Sequence, residues 1–221
     1  IDWSIPADGH RVTVLNDGTD ANVINALFAD YDVIIANGNW TMRATEALSI
    51  PTGKTLYVNG NFDASASGGS PASSASVSNR GTITVNGTLT TDATINGTVN
   101  AKNWNVNDTS TVATGADVTV EYDIVIADGK KLTVDGTVTV GDDVLAGPNG
   151  AAAGSADLSV TGTVRVYGDL NVGTAGSTGK IEVLSTNSLH VTGTITASEV
   201  SVGNGAGKAG LVTARAIVAD V

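Results

Sequence analysis

Leu132, Val134, Val138 and Val140 alternate with Lys131, Thr133, Thr137 and Thr139, so a two-residue period puts the apolar side chains on one face of a strand and the threonines on the other. Gly136 falls in phase with the apolar set. An inward position with no side chain predicts a sharp bend from one sheet into the next. The same phrase, apolar-x-apolar-x-Gly-x-apolar, recurs around Gly60, Gly87, Gly97, Gly162 and Gly193. Successive copies are separated by 27, 10, 39, 26 and 31 residues, a strand-bend-strand unit with variable insertions. Units of this kind bury their inner faces only by stacking on one another, which predicts a solenoid of parallel strands.

A second phrase punctuates the first. Ile5-Pro6-Ala7-Asp8-Gly9-His10, Ile50-Pro51-Thr52-Gly53-Lys54 and Ile126-Ala127-Asp128-Gly129-Lys130 each lead from Ile through a Gly turn into a strand. Between the first two copies, Val23, Ile24, Leu27, Phe28 and Tyr31 have helical spacing, and Asp20 is a suitable N-cap, predicting a helix over about 20–30. Val33-Ile34-Ile35 through Met42 then reads as strand, turn, strand. Ala64 to Asn79, Ala146 to Ala156, Gly173 to Gly179 and Gly203 to Gly210 are Gly/Ala/Ser-rich and read as loops thrown out from the coils.

The two ends of the chain carry different patterns. Ile1, Trp3 and Ile5 alternate with Asp2 and Ser4 as a short amphipathic strand. In the last segment Val212, Ala214, Ala216 and Val218 are apolar, and so are Leu211, Ile217, Ala219 and Val221. A strand apolar on both faces expects burial on both.

Composition sharpens this picture. The chain of 221 residues is 41% apolar yet 4% aromatic, with 27 Gly, which suits a narrow core of small β-branched residues and excludes a helical bundle or a disordered chain. The formal net charge is −11 and the basic residues are scattered, so no nucleic-acid partner is expected. Cysteine is absent, and with it disulfide and thiol chemistry. The chain begins at Ile1, as a processed secreted protein or a trimmed one would, and no apolar run is long enough to span a membrane.

Gly18-Thr19-Asp20, the amphipathic helix, Val33-Ile34-Ile35, Asn37-Gly38-Asn39-Trp40 and Leu48-Ser49-Ile50-Pro51-Thr52-Gly53-Lys54-Thr55-Leu56 resemble the N-terminal cap and first coils of the pectate-lyase-like right-handed parallel β-helix superfamily, over roughly residues 5 to 60. The resemblance implies a helix plugging one end of the barrel and carries no activity. Gly/Ala/Ser loops followed by Leu-x-Val-x-Gly are similar to the repeats of bacterial surface β-helices, including autotransporter passengers and secreted adhesins.

Candidate chemistry is sparse. Parallel β-helix enzymes usually cleave acidic polysaccharides, and hydrolysis needs two carboxyls about 5–10 Å apart. Asp142 and Asp143 are adjacent and would face opposite ways on a strand, Asp30 and Asp32 lie at the helix exit, and Asp117, Glu121 and Asp123 are within reach of one another on a solvated strand edge. His10 and His190 lack the spacing of a metal site. Asp128-Gly129 and Gly141-Asp142-Asp143 offer at most weak calcium turns. Thr82/Thr84, Thr88/Thr90, Thr137/Thr139 and Thr194/Thr196 resemble the pairs of ice-binding solenoids, although Thr is also a favoured outward residue on any β surface. Trp3, Trp40 and Trp104 are either a sugar-stacking platform or core plugs, the plug being favoured. Asn39, Asn86, Asn96 and Asn107 begin N-glycosylation triplets, a short motif that arises by chance.

The expectation is an all-β fold, a single-stranded right-handed parallel β-helix (β-solenoid) with a short N-terminal capping α-helix. It forms one domain over 1–221, with a cap region over 1–49 and irregular coils over 50–221. The expected function is structural and non-catalytic, without cofactor, catalytic residue or metal: an extracellular or cell-surface fibre subunit or adhesin, with extracellular glycans as a further candidate partner. Its main partner is itself, head to tail, with Ile1, Trp3 and Ile5 meeting Leu211, Ile217, Val218 and Val221. The rivals are a carbohydrate-active β-helix enzyme and an ice- or glycan-binding solenoid.

Overall fold

The computed structural model describes residues 10–15, 20–43, 45–65, 76–92, 94–147, 155–173, 178–184, 187–203 and 210–219. The chain winds as a parallel β-solenoid of about eight turns, every strand pairing in parallel with its equivalent one turn away. Each turn has three faces. Face one runs from Arg11–Leu15 through Val33–Asn37, Thr55–Asn59 and the first half of Thr82–Thr91 to Leu211–Thr213. Face two runs from Trp40–Thr41 and Phe62–Asp63 to Ala216–Ala219. Face three runs from Ala47–Ile50 and Ser76–Asn79 to Glu199–Val202. Thr82–Thr91 and Thr98–Val106 turn the corner from face one to face two without a break, so hydrogen bonding joins those faces into a single 17-stranded sheet.

The alternation read from sequence is the architecture of the core. Leu132, Val134, Val138 and Val140 are each at most 1% exposed, and Thr133, Thr137 and Thr139 face outward. On face two one inward column stacks Trp40, Phe62, Leu89, Trp104, Ile124 and Val144 in direct register. Trp40 and Phe62 are stacked with ring centroids 4.9 Å apart. Trp104 donates its indole N–H to Thr91 Oγ1 at 2.9 Å, which satisfies both buried polar groups. Trp40 and Trp104 are therefore core, which removes them from any sugar-stacking platform; Trp3 lies outside the described residues. The core extends unbroken from Ala21 to Ala197. A second, small cluster of Val33, Ile35 and Tyr57 sits in outward register on face one and is nevertheless buried.

The bend glycines belong to two corners, which explains their uneven spacing. Gly60, Gly87 and Gly193 turn face one into face two, whereas Gly97, Gly136 and Gly162 turn face three into face one. The requirement at both corners is closeness to the preceding coil. A Cβ on Gly60 would lie 2.6 Å from the Gly38 carbonyl carbon, and one on Gly87 2.6 Å from the Gly60 carbonyl oxygen. The glycines of the second phrase answer to another need: Gly53 and Gly129 have open space around them and φ of 77° and 68°. That phrase also serves two corners, Ile50 leading from face three to face one and Ile126 from face two to face three.

The helix forms as expected, over Ala21–Leu27, with Asp20 Oδ1 accepting the Val23 N–H at 3.0 Å. Ile24 and Phe28 are buried, and the helix lies against Ala47–Ile50, the first strand of face three. There Asn25 does the work of a neighbouring strand. Its Nδ2 donates to the Ala47 carbonyl at 2.7 Å and its Oδ1 accepts the Ser49 N–H at 2.8 Å.

One predicted loop is too long. Ser76–Asn79, read as the end of the Ala64–Asn79 loop, is a face-three strand paired with Ala47–Ile50. Only one apolar residue, Val77, marks its alternation. The inward Asn79 is 1% exposed and is satisfied by donating to the Thr98 carbonyl and accepting the Gly81 N–H.

Candidate functional site

Of the residues expected to join copies, Leu211, Ile217 and Val218 fall in the last coil. Ile1, Trp3, Ile5 and Val221 lie outside the described residues. Leu211, Ile217 and Val218 are 61%, 51% and 56% exposed. Register separates two kinds of exposure. Ile217 continues the inward column of Leu170 and Ile195, both fully buried, and Val202 continues that of Val160 and Val183. These are core positions with no coil over them among the described residues. Leu211 pairs with Ser188 in an outward column that most coils give to Ser or Thr, and Val218 pairs with Thr196 in a mixed outward column that also holds Asp63, Val125 and Leu145. The doubly apolar last strands are thus exposed on both faces, contrary to the burial that their pattern predicted. At the opposite end the free side of the helix offers Val23, 47% exposed, beside exposed Ala26 and Ala29.

The candidate carboxylates have other partners. Asp142 and Asp143 sit in the turn between face one and face two, not on a strand, and their carboxylates gather with that of Asp123 within 4.8 Å. Asp123 and Asp143 are held by a ladder that sequence reasoning missed. Asn39 Oδ1 accepts the Asn61 N–H and Asn61 Oδ1 accepts the Thr88 N–H, both at 2.9 Å. Higher up, Asp123 accepts from Asp143 at 3.1 Å, Asp143 from Asp169 at 2.6 Å and Asp169 from Thr194 at 2.7 Å. Each side chain holds the backbone N–H at the same corner of the next coil. The signal was present as an Asn or Asp immediately before most inward residues of face two, with Thr88 and Thr194 before Leu89 and Ile195. Asp117 and Glu121 lie at opposite ends of Asp117–Val120, and neither joins the cluster.

The remaining charged candidates serve as ties between coils. Asp32 bonds Lys54 Nζ at 2.6 Å, and that hydrogen bond and charge hold the Asp32 carboxyl below its usual range. Asp108 meets Lys130 at 2.9 Å and Lys180 meets Glu199 at 2.7 Å. On face three the outward column runs Lys131, Asp157, Lys180, Glu199, floored by the nearly buried Ser159 beside a groove of about 330 Å³. His10 and His190 are exposed and far apart in the coil order. The Thr pairs divide between faces: Thr82/Thr84 and Thr137/Thr139 on face one, Thr88/Thr90 and Thr194/Thr196 on face two. On face one Asp117 interrupts the Thr column between Thr98 and Thr137. Of the glycosylation triplets, Asn86 is tied by Nδ2 to Asn59 Oδ1 at 3.1 Å.

No family model, curated protein or solved structure matches this chain. Its reading rests on its own geometry. No helix among the described residues is long and apolar enough to cross a membrane.

Proposed function

We propose that this chain is a structural, non-catalytic β-solenoid, the subunit of an extracellular fibre or adhesin that assembles head to tail. One observation carries the reading. Of the seven large hydrophobic side chains exposed among the described residues, five lie at the ends: Val23 at one, and Val202, Leu211, Ile217 and Val218 at the other. Among the described residues the side walls carry only Tyr122 and Tyr167. A bare last coil also leaves the outer backbone edges of Glu199–Val202, Leu211–Thr213 and Ala216–Ala219 without a strand partner among the described residues. Such edges pair with added strands.

The two end surfaces differ, one a helix face and the other strand edges, so contact between them is heterologous and propagates instead of closing as a twofold dimer. The helix covers the free edge of Ala47–Ile50, so joining through the edge of Arg11–Leu15 that has no strand partner among the described residues is favoured over flush stacking of all three faces. Engagement of Asp123, Asp143 and Asp169 by backbone N–H groups supports a non-catalytic role for the closest carboxylates. The extracellular setting is supported by the sequence likeness to bacterial surface β-helices, with the N-terminal cap like that of the pectate-lyase-like superfamily.

Negative-stain electron microscopy of the purified chain beside Val218→Asp, with and without calcium, tests this. Filaments that vanish in the variant are expected. Separate short rods in both samples would overturn the proposal.

A further inference from the structure

Two of the seven exposed large hydrophobics lie away from the ends, and both are tyrosines at the corner between faces one and two: Tyr122, 46% exposed, and Tyr167, 57% exposed. Backbone bonds fix their relation. The Asp142 N–H donates to the Tyr122 carbonyl at 3.2 Å, and the Tyr167 N–H donates to the Val140 carbonyl at 2.9 Å. The two residues therefore leave the same corner two coils apart, about 10 Å along the axis. The intervening coil contributes Gly141 and Asp142, both exposed. Gly141 admits no side chain, because a Cβ there would collide with the Glu121 carbonyl of the coil below. Gly141 follows the register of Tyr167 and Asp142 that of Tyr122, so the two tyrosines lie diagonally across the intervening coil, beside the exposed Asp142.

A single exposed aromatic on a β surface needs no explanation. Two on one corner, separated by a glycine that cannot be larger, form a surface suited to a ligand with repeating, weakly apolar faces. Asp123 and Asp143 are engaged by the ladder, whereas Asp142 is the exposed carboxylate of the three.

We propose that this corner binds an uncharged linear saccharide lying along the solenoid axis, with sugar rings stacked on Tyr122 and Tyr167 and hydroxyls donating to Asp142. Sugars present C–H faces to aromatic rings and hydroxyl donors to carboxylates, so one chain satisfies both kinds of group. The coil repeat is close to the length of a sugar unit, so a chain of about three units reaches from one ring to the other. The charge excludes acidic glycans. Asp123, Asp143 and Asp169 line the same corner of a chain with net charge −11, which repels uronates and sulfated polymers. The site is independent of the ends and does not require assembly.

Isothermal titration calorimetry with cellohexaose, mannohexaose and chitohexaose, with polygalacturonate as the charged comparison, tests the proposal. At least one neutral hexasaccharide binds, polygalacturonate does not, and Tyr122→Ala and Tyr167→Ala each weaken binding by about three- to tenfold. Perturbation of the Tyr122 and Tyr167 ring signals by the same hexasaccharide in NMR spectra of the unmodified chain, with Tyr31 and Tyr57 unmoved, supplies a readout that needs no variant. No binding by any neutral hexasaccharide, binding indifferent to both substitutions, or equal binding of polygalacturonate would overturn it.

Discussion

The two ends of the solenoid receive similar side chains and treat them differently. Ile24, on the helix, is fully buried, while Ile217, the last inward residue of face two, is 51% exposed although Ile195 directly beneath it is fully buried. Burial in this fold belongs to the neighbouring coil more than to the residue, so an end needs a dedicated lid. The helix provides one at the start. Asn25 supplies the donor and the acceptor that a preceding strand would have given Ala47 and Ser49. The last coil has no counterpart among the described residues, and its apolar face is exposed.

The contrast can be broken most sharply within one column. Ile195→Ala removes packing from a filled position and lowers unfolding free energy by ~2–5 kcal/mol, whereas Ile217→Ala costs less than ~1 kcal/mol in dilute solution. Urea unfolding of the two variants measures this. Equal losses would mean that the last coil is already covered in the isolated chain. At the closed end Asn25→Ala strands a carbonyl and an N–H, which costs ~1–3 kcal/mol and accelerates hydrogen exchange at the Ser49 amide. Unchanged exchange there would show that the helix does not seal the strand edge.

The smallest effect is the pH response, of opposite sign toward the two ends. Asp32 has its folded pKa lowered, chiefly by the hydrogen bond from Lys54. Its stabilisation is complete above the unfolded value near ~3.9 and is lost as pH falls through the lower folded value. Lys180 has its folded pKa raised, chiefly by the hydrogen bond to Glu199. That contribution is complete below ~10.4 and is lost as pH rises through the higher folded value. Lys54→Met therefore reduces the acid-side loss of melting temperature and Glu199→Gln the alkaline-side loss. Both shifts are small because the pairs are exposed and screened by salt.

Much of this architecture is legible in the sequence because a solenoid writes its core in a two-residue period. The Leu132 to Val140 phrase and the Asp20 cap translate directly into position, whereas the apolar last strands, expected to be buried on both faces, are exposed. What the period does not encode is which corner a bend occupies, since Gly97 and Gly193 sit in identical phrases but turn different faces into one another. Nor does it reveal side chains whose partner is backbone one coil away. Asp143 looks like a ligand in sequence, and its bond to the Asp169 N–H lies 26 residues along the chain. Ser76–Asn79 escaped because its inward Asn79 is polar and is satisfied only by the folded corner. The tyrosine pair was hidden for the same reason: Tyr122 and Tyr167 are distant in sequence and come to one corner, two coils apart, only when coils stack.

The central claim, assembly through two different ends, is tested most directly by sedimentation velocity of Val23→Asp, Val218→Asp and their equimolar mixture. Each variant has one blocked end and one intact end. The account predicts that the unmodified chain forms large species, that each variant alone sediments as a monomer, and that the mixture forms a dimer and stops there. A mixture that remains monomeric while the unmodified chain polymerises, or an unmodified chain that stays monomeric at every concentration, would contradict it.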